Sequence, residues 1–230
     1  MNKKSLKLYC FSPPVMLATF TLEIAFAVYT VWRYSTTTLT RLVVAILVFL
    51  AIFQGTEFLL CGGFALQGGT WSQIGYVSIT MLPPLGLHLA YVVAKKKAGA
   101  IVALAYASAA LFIGYFAFVT NAISGHTCYA NYAVFDTASG LAPWYTLYYY
   151  GWMLVGTHFA WKWAPKLPKN RRQALYALFG GYLALFIPTT AINIIDRSTT
   201  AGIPSIMCGF AIVLAFLLTV KVVPATTRVK

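Results

Sequence analysis

The chain has 230 residues, 60% of them hydrophobic and 9% charged, with 17 lysines and arginines against four acids and a mean hydropathy of +0.75. Soluble domains carry about 25% charged residues, so this composition excludes a soluble globular protein and indicates an integral membrane protein. The formal net charge of +13 would point to nucleic acid in a soluble chain. Here the basic residues lie between apolar runs, where the charge asymmetry of membrane loops explains them, and no polar domain could carry a nucleic-acid site.

The first segment, MNKKSLKLYCFSPPVMLATF, has a basic start before an apolar run, as a signal peptide does. The run continues to Trp32, however, and a stretch of roughly 20 residues is long enough to span a bilayer. It is predicted as a first transmembrane helix over 11–32. Windows of the same length predict further helices over 42–62, 71–94, 100–120, 144–163, 174–195 and 204–223. The expected fold class is therefore an all-α integral membrane protein, a single seven-helix bundle over 1–230. The connectors are short, except for NAISGHTCYANYAVFDTASGLAP over 121–143.

Orientation follows from the basic residues. With the N-terminus outside and the C-terminus cytoplasmic, the inner side holds Arg33, Arg41, Lys95, Lys96, Lys97, Lys162, Lys166, Lys169, Arg171, Arg172, Lys221, Arg228 and Lys230. The outer side holds only Lys3, Lys4, Lys7 and Arg197. The same orientation places Cys10, Cys61, Cys128 and Cys208 at or beyond the outer ends of their spans. Four cysteines in one oxidising layer predict at least one disulfide, with Cys128 of the long loop as the expected member. The pairing stays open among three connectivities, and the plainer alternative is a set of small buried thiols.

Within the spans, Gln54, Glu57 and Cys61 form one stripe of the second helix, and a carboxylate at such depth is costly. Thr189, Thr190, Asn193 and Asp196 form a stripe in the sixth span, Ser205 and Cys208 open the seventh, and Tyr145, Tyr148, Tyr149 and Tyr150 open the fifth. Polar and aromatic groups thus converge on the outer half of the bundle. The structural reading is a hydrogen-bonded plug, with Glu57 protonated because burial disfavours its charged form. The functional reading is a pocket for a small ligand or ion, formed by Glu57, Gln54, Asn193, Thr189, Tyr145, Tyr149 and Ser205. Glu23, near mid-span in the first helix, suits a packing or relay role. His88 and His158 fall at one depth near the inner face, where such a pair could ligate haem or a metal; unrelated histidines bonded to backbone or tyrosine are the plainer reading.

Three short motifs carry a resemblance. Cys10-Phe11-Ser12, the FQGTE stretch holding Gln54 and Glu57, and PSIMCGFA from Pro204 resemble an uncharacterised bacterial family of multi-pass membrane proteins. That family opens with Cys-Phe-Ser, carries Gln-x-x-Glu-Gly in its second span and has Pro-Ser before its last helix. The chain departs from the pattern at Phe58, where the family has Gly. The resemblance implies a shared role for Cys10, Gln54, Glu57 and Cys208 and no particular activity. WSQIGYVSITMLPPLGLHLAY is more weakly similar to the third helix of the seven-helix sensor modules of bacterial histidine kinases.

These observations lead to the expectation of a receptor-like or sensory protein of the cell membrane that binds a small ligand or ion in its outer half. Its partners would be the lipid bilayer, a small molecule and a cytoplasmic effector docked on basic inner segments such as KLPKNRR, with no nucleic acid. No catalytic residues are assigned and no cofactor is expected. The alternatives are an enzyme or redox protein using haem or metal at His88 and His158, and a small transporter. A lipid hydrolase of the three-histidine kind is disfavoured because His126 lies outside while the other two lie inside.

Overall fold

A computed structural model describes residues 13–61, 69–119, 122–129, 132–137 and 140–230. Cys10, its Phe-Ser neighbours and the three N-terminal lysines lie outside the described residues. The chain is mostly helical. Its long helices are α1 (Pro13–Arg33), α2 (Thr38–Cys61), α3 (Gly69–Thr80), α4 (Leu82–Val93), α5 (Ala100–Phe118), α6 (Ala142–Trp163), α7 (Lys169–Ile195) and α8 (Ile203–Leu217). A π-helical turn over Leu218–Val222 joins α8 to the short α9 (Val223–Thr226). Between α5 and α6 the strands β1 (Ile123–Cys128) and β2 (Ala133–Thr137) pair antiparallel.

Among the described residues, six helical stretches are long and apolar enough to cross a membrane: Pro13–Arg33, Thr38–Cys61, Gly69–Val93, Ala100–Phe118, Lys169–Ile195 and Ile203–Thr226. α6 is also 22 residues long, but the tyrosines, tryptophans and His158 of APWYTLYYYGWMLVGTHFAWKW dilute its apolarity. The bundle turns large apolar side chains outward, among them Trp32, Leu104, Leu111, Leu154 and Ile195. In water such a surface would aggregate; lipid accepts it.

Local chemistry sets the helix ends. Thr37 and Thr40 cap the start of α2 reciprocally: Thr40 N–H donates to Thr37 Oγ1 at 3.2 Å, and Thr37 N–H donates to Thr40 Oγ1 at 2.7 Å. This is the capping-box arrangement with threonine as the second partner. α3 breaks from α4 because Pro83 and Pro84 lack the N–H groups that helix continuation requires. Pro84 leaves the Thr80 carbonyl unpaired four residues upstream, and the Tyr148 hydroxyl of α6 donates to that carbonyl at 2.6 Å.

The basic end of the bundle is one surface. Arg171, at the start of α7, donates to the Val93 and Val92 carbonyls at the end of α4, at 2.8 and 3.3 Å. Lys96 lies over the Trp163 ring at 5.3 Å. The C-terminal strand bridges Tyr34 through Val229, and Lys230 N–H donates to the Arg33 carbonyl at 3.0 Å.

The opposite end carries the hairpin, formed within the long connector 121–143. Cys128 is disulfide-bonded to Cys61 at the end of α2, with 5.7 Å between Cα atoms. The backbone N–H of Ala133 donates to Ser205 Oγ of α8 at 3.0 Å. Phe135 packs against Phe53 and Tyr76, with ring centroids 5.9 and 5.4 Å apart. Tyr132 lies so close over Gly202 that a β-carbon there would enter its ring. The expectation of a bridge containing Cys128 is met, with Cys61 as partner. Cys208 is not part of a disulfide: it is a free, buried thiol, because its position on α8 turns it into the bundle rather than toward the hairpin.

Candidate functional site

Two distinct polar features lie at the hairpin end, on different faces of the first turns of α8. Ile203, Pro204 and Met207 line a cavity, whereas Ser205 and Cys208 turn toward the carboxyl groups of α1 and α2. A helix advances 3.6 residues per turn, so 204 and 207 share one face and 205 and 208 the neighbouring one.

The cavity holds about 520 Å³, within the usual range of small-molecule sites, about 300–1,000 Å³. Its walls are aromatic: Tyr76 from α3, Phe116 from α5, Phe135 from the hairpin, and Tyr145, Tyr149 and Tyr150 from α6. Tyr145 stands in contact with the rings of Tyr76, Phe112, Phe116, Tyr148 and Tyr149, at centroid distances between 5.3 and 5.9 Å. Its hydroxyl lies 3.1 Å from Thr80 Oγ1. That threonine donates its own proton to the Tyr76 carbonyl at 2.6 Å, so Tyr145 is the donor. Polar groups gather at one rim, where Arg197, Ser198 and Thr200 of the 3-10 segment Arg197–Gly202 lie with Thr137 of β2. Arg197 is exposed and is the only charged residue lining the cavity among the described residues. Asp196 caps this segment by accepting from Ser198 N–H at 3.0 Å and from its hydroxyl at 2.7 Å. Burial pushes the Tyr132 phenol above its ordinary range, against the opposing effect of its hydrogen bond with Ser198, so this tyrosine adds no charge to the rim. A second, apolar cavity of about 30 Å³, near the volume of one water, shares Tyr149 and Met207 with the first.

The carboxyl constellation is separate. Glu57 is 1% exposed and Glu23 0%, and the two interact electrostatically. Ser205 hydrogen-bonds the Glu57 side chain while accepting from the hairpin backbone. Cys208 feels both carboxyls and also faces Tyr145 and Tyr149, so it stands between the two features. Both Glu23 oxygens, Glu57 Oε1 and Gln54 Nε2 have no hydrogen-bond partner.

The structure therefore divides the residues singled out from the sequence. Glu57, Gln54 and Ser205 come together, and Glu23 joins them from α1. Tyr145 and Tyr149 line the aromatic cavity. Thr189 is buried on α7 with an unpartnered hydroxyl. Asn193 is engaged with the 3-10 segment, its Oδ1 accepting from Thr199 at 2.6 Å. His88 Nδ1 is hydrogen-bonded to the Tyr106 hydroxyl at 3.2 Å, and His158 is exposed on α6. The described residues contain no group of three or more His, Cys, Asp or Glu side chains that could hold a metal. Sequence reasoning did not name Arg197, Tyr76, Phe116, Phe135 or Met207 as site residues. Arg197 carried a signal, as the one basic residue on the expected outer side apart from the N-terminal lysines, but it was used there only to set orientation.

No family model matches the chain, and no curated protein or solved structure matches it at a significant level.

Proposed function

We propose that this chain is a receptor-like multi-pass protein of the cell membrane that binds a small amphipathic molecule bearing an anionic group in the aromatic cavity. The carrying observation is a chamber of about 520 Å³ with aromatic walls, whose only charged lining residue among the described residues is Arg197. Aromatic faces alone would also attract a cation, but a guanidinium at the rim repels one and pairs with a carboxylate or phosphate in bidentate fashion. Among the described residues no acid lines this cavity, so no lining carboxylate compensates a cationic ligand. Tyr76, Tyr145 and Tyr149 offer flat apolar surface to the rest of the molecule.

The test is a thermal-shift panel on purified protein, pairing aromatic and medium-chain carboxylates with amines of the same skeleton. Carboxylates are expected to raise Tm and the amines are not. Arg197→Gln should weaken the carboxylate response roughly two- to fivefold in apparent Kd, the modest figure appropriate to an exposed charge. A response to amines equal to that of carboxylates, or one unchanged in Arg197→Gln, would count against the anionic class.

The reading includes seven spans, with α6 as the fifth, the hairpin end outside and the basic end cytoplasmic. Its support is the coincidence of two independent rules on one axis: the disulfide belongs in an oxidising compartment, and loop lysines and arginines concentrate inside. A reporter fused after Lys230 is expected to report the cytoplasm. Fusions reading the opposite compartment would reverse the whole assignment and place the cavity mouth inside.

A further inference from the structure

The buried carboxyls have no task in the aromatic cavity. Glu23 and Glu57 are among the largest fully buried side chains of the protein, yet three of their oxygens and the neighbouring Gln54 Nε2 are unpartnered. Gln54 and Glu57 are one helical turn apart on α2, so they share a face. Glu23 is faced by Glu57 from α2 and by Cys208 from α8. Glu57 is faced by Ser205 and Cys208 from α8. Tyr145 and Tyr149 of α6 face Cys208 from the far side. No lysine, arginine or histidine among the described residues offers either carboxyl a hydrogen bond or an ion pair. A buried acceptor without a donor is unstable in any apolar medium and most of all in a membrane-spanning bundle. Three of these four unpartnered atoms are carboxyl acceptors that lack positive charge; the fourth, Gln54 Nε2, is a donor.

We propose that Glu23 and Glu57, with the Ser205 hydroxyl oxygen, form an exchange site for one small hard monovalent cation, with Na⁺ as the probe. The exchange balances. With both carboxyls protonated the site is neutral; one proton leaves to solvent, one Na⁺ enters, and the site stays neutral with one carboxylate and one carboxylic acid. Oxygen ligands suit hard cations rather than soft ones. A divalent ion would require both protons to leave and about six to eight oxygens to gather, whereas the described residues contain no group of three or more His, Cys, Asp or Glu side chains that could hold a metal. Glu23, Gln54 and Glu57 line neither cavity, so an organic amine has no room beside them.

Because bound Na⁺ requires a deprotonated carboxyl, protons compete with it, and binding strengthens as pH rises. The experiment measures thermal unfolding of the purified full chain in NaCl, KCl and choline chloride at equal ionic strength, at pH 8 and pH 5, without any cavity ligand. Above saturation, each tenfold rise in Na⁺ is expected to raise Tm by roughly 3–5 °C at pH 8. The rise should shrink at pH 5 and be absent in choline. Glu57→Gln and Glu23→Gln should each abolish it. A second measurement needs no variant: NaCl added to weakly buffered wild-type protein should release about one proton per bound Na⁺, and choline chloride none. Equal Tm in Na⁺ and choline at both pH values, an absence of proton release, or a Na⁺ response retained in the doubly substituted protein would each overturn the proposal. A carboxylate response in the thermal-shift panel stands or falls independently of these results.

Discussion

Tyr145→Ala is expected to destabilise the protein by about 3–5 kcal/mol, the usual cost of truncating a buried aromatic residue. Three terms combine. The ring is 7% exposed and removing it opens a void among Tyr76, Phe112, Phe116, Tyr148 and Tyr149. Each of those aromatic pairs adds about 0.5–1.5 kcal/mol beyond area burial, though the contributions of neighbours do not sum independently. The hydroxyl also donates to Thr80 Oγ1, beside the proline break that separates α3 from α4. Tyr145→Phe keeps the ring and loses only this bond, so its cost should be about 1 kcal/mol. Unfolding of both variants, followed by near-ultraviolet circular dichroism, separates packing from hydrogen bonding. An alanine variant as stable as wild type would mean that the cluster does not hold α3, α5 and α6 together. Because Tyr145 also lines the cavity, the alanine variant should lose discrimination among carboxylate skeletons even where it still folds.

Opening the Cys61–Cys128 bridge should cost nearly as much. The bond closes a loop of 67 residues, for which the chain-entropy argument gives about 4 kcal/mol of stabilisation through the unfolded state. The paired substitution Cys61→Ser with Cys128→Ser measures this without leaving a stray thiol, and reductant added to wild type should mimic it. The loss has a local consequence too. The hairpin supplies Phe135 and Thr137 to the cavity wall and holds Ser205 through the Ala133 N–H. Without the bridge it keeps that hydrogen bond, the packing of Phe135 against Phe53 and Tyr76 and the seating of Tyr132 over Gly202. The carboxylate response should therefore weaken together with Tm. If reductant leaves both unchanged, the hairpin is anchored by its side chains alone.

Some of this was open to inspection in the linear chain. Runs such as LVVAILVFLAIF mark helices long and apolar enough to cross a membrane, and the expected limits lie within about five residues of α1, α2, α5, α6, α7 and the stretch Ile203–Thr226, because the bilayer sets the length. The bridge containing Cys128 was legible from the clustering of cysteines toward one end of the spans. Its partner was not, since Cys61 and Cys208 stand at similar depths and only the position of the hairpin beside α2 distinguishes them. The hairpin itself was missed because HTCYANYAVFD mixes polar and apolar residues without a clean period of two, and its pairing is stabilised by contacts with α2, α3 and α8 rather than by its own pattern.

What the sequence by itself determined was strongly apolar character, the approximate positions of the long helices and the charge asymmetry, because length, hydropathy and charge are properties of single segments. Which faces meet was decided only in three dimensions. In a soluble helix the apolar stripe points to the core, but in lipid both the outward and the inward faces can be apolar, and α5 carries almost no periodic signal of its orientation. That is why Glu23 looked solitary in sequence yet is placed beside Glu57, why Glu57 and Tyr145 looked like one site yet belong to two faces of α8, and why Arg197 proved to be the charge at the cavity rim. Depth along a helix can be counted residue by residue; rotation about its axis depends on the neighbours, and only packing supplies it.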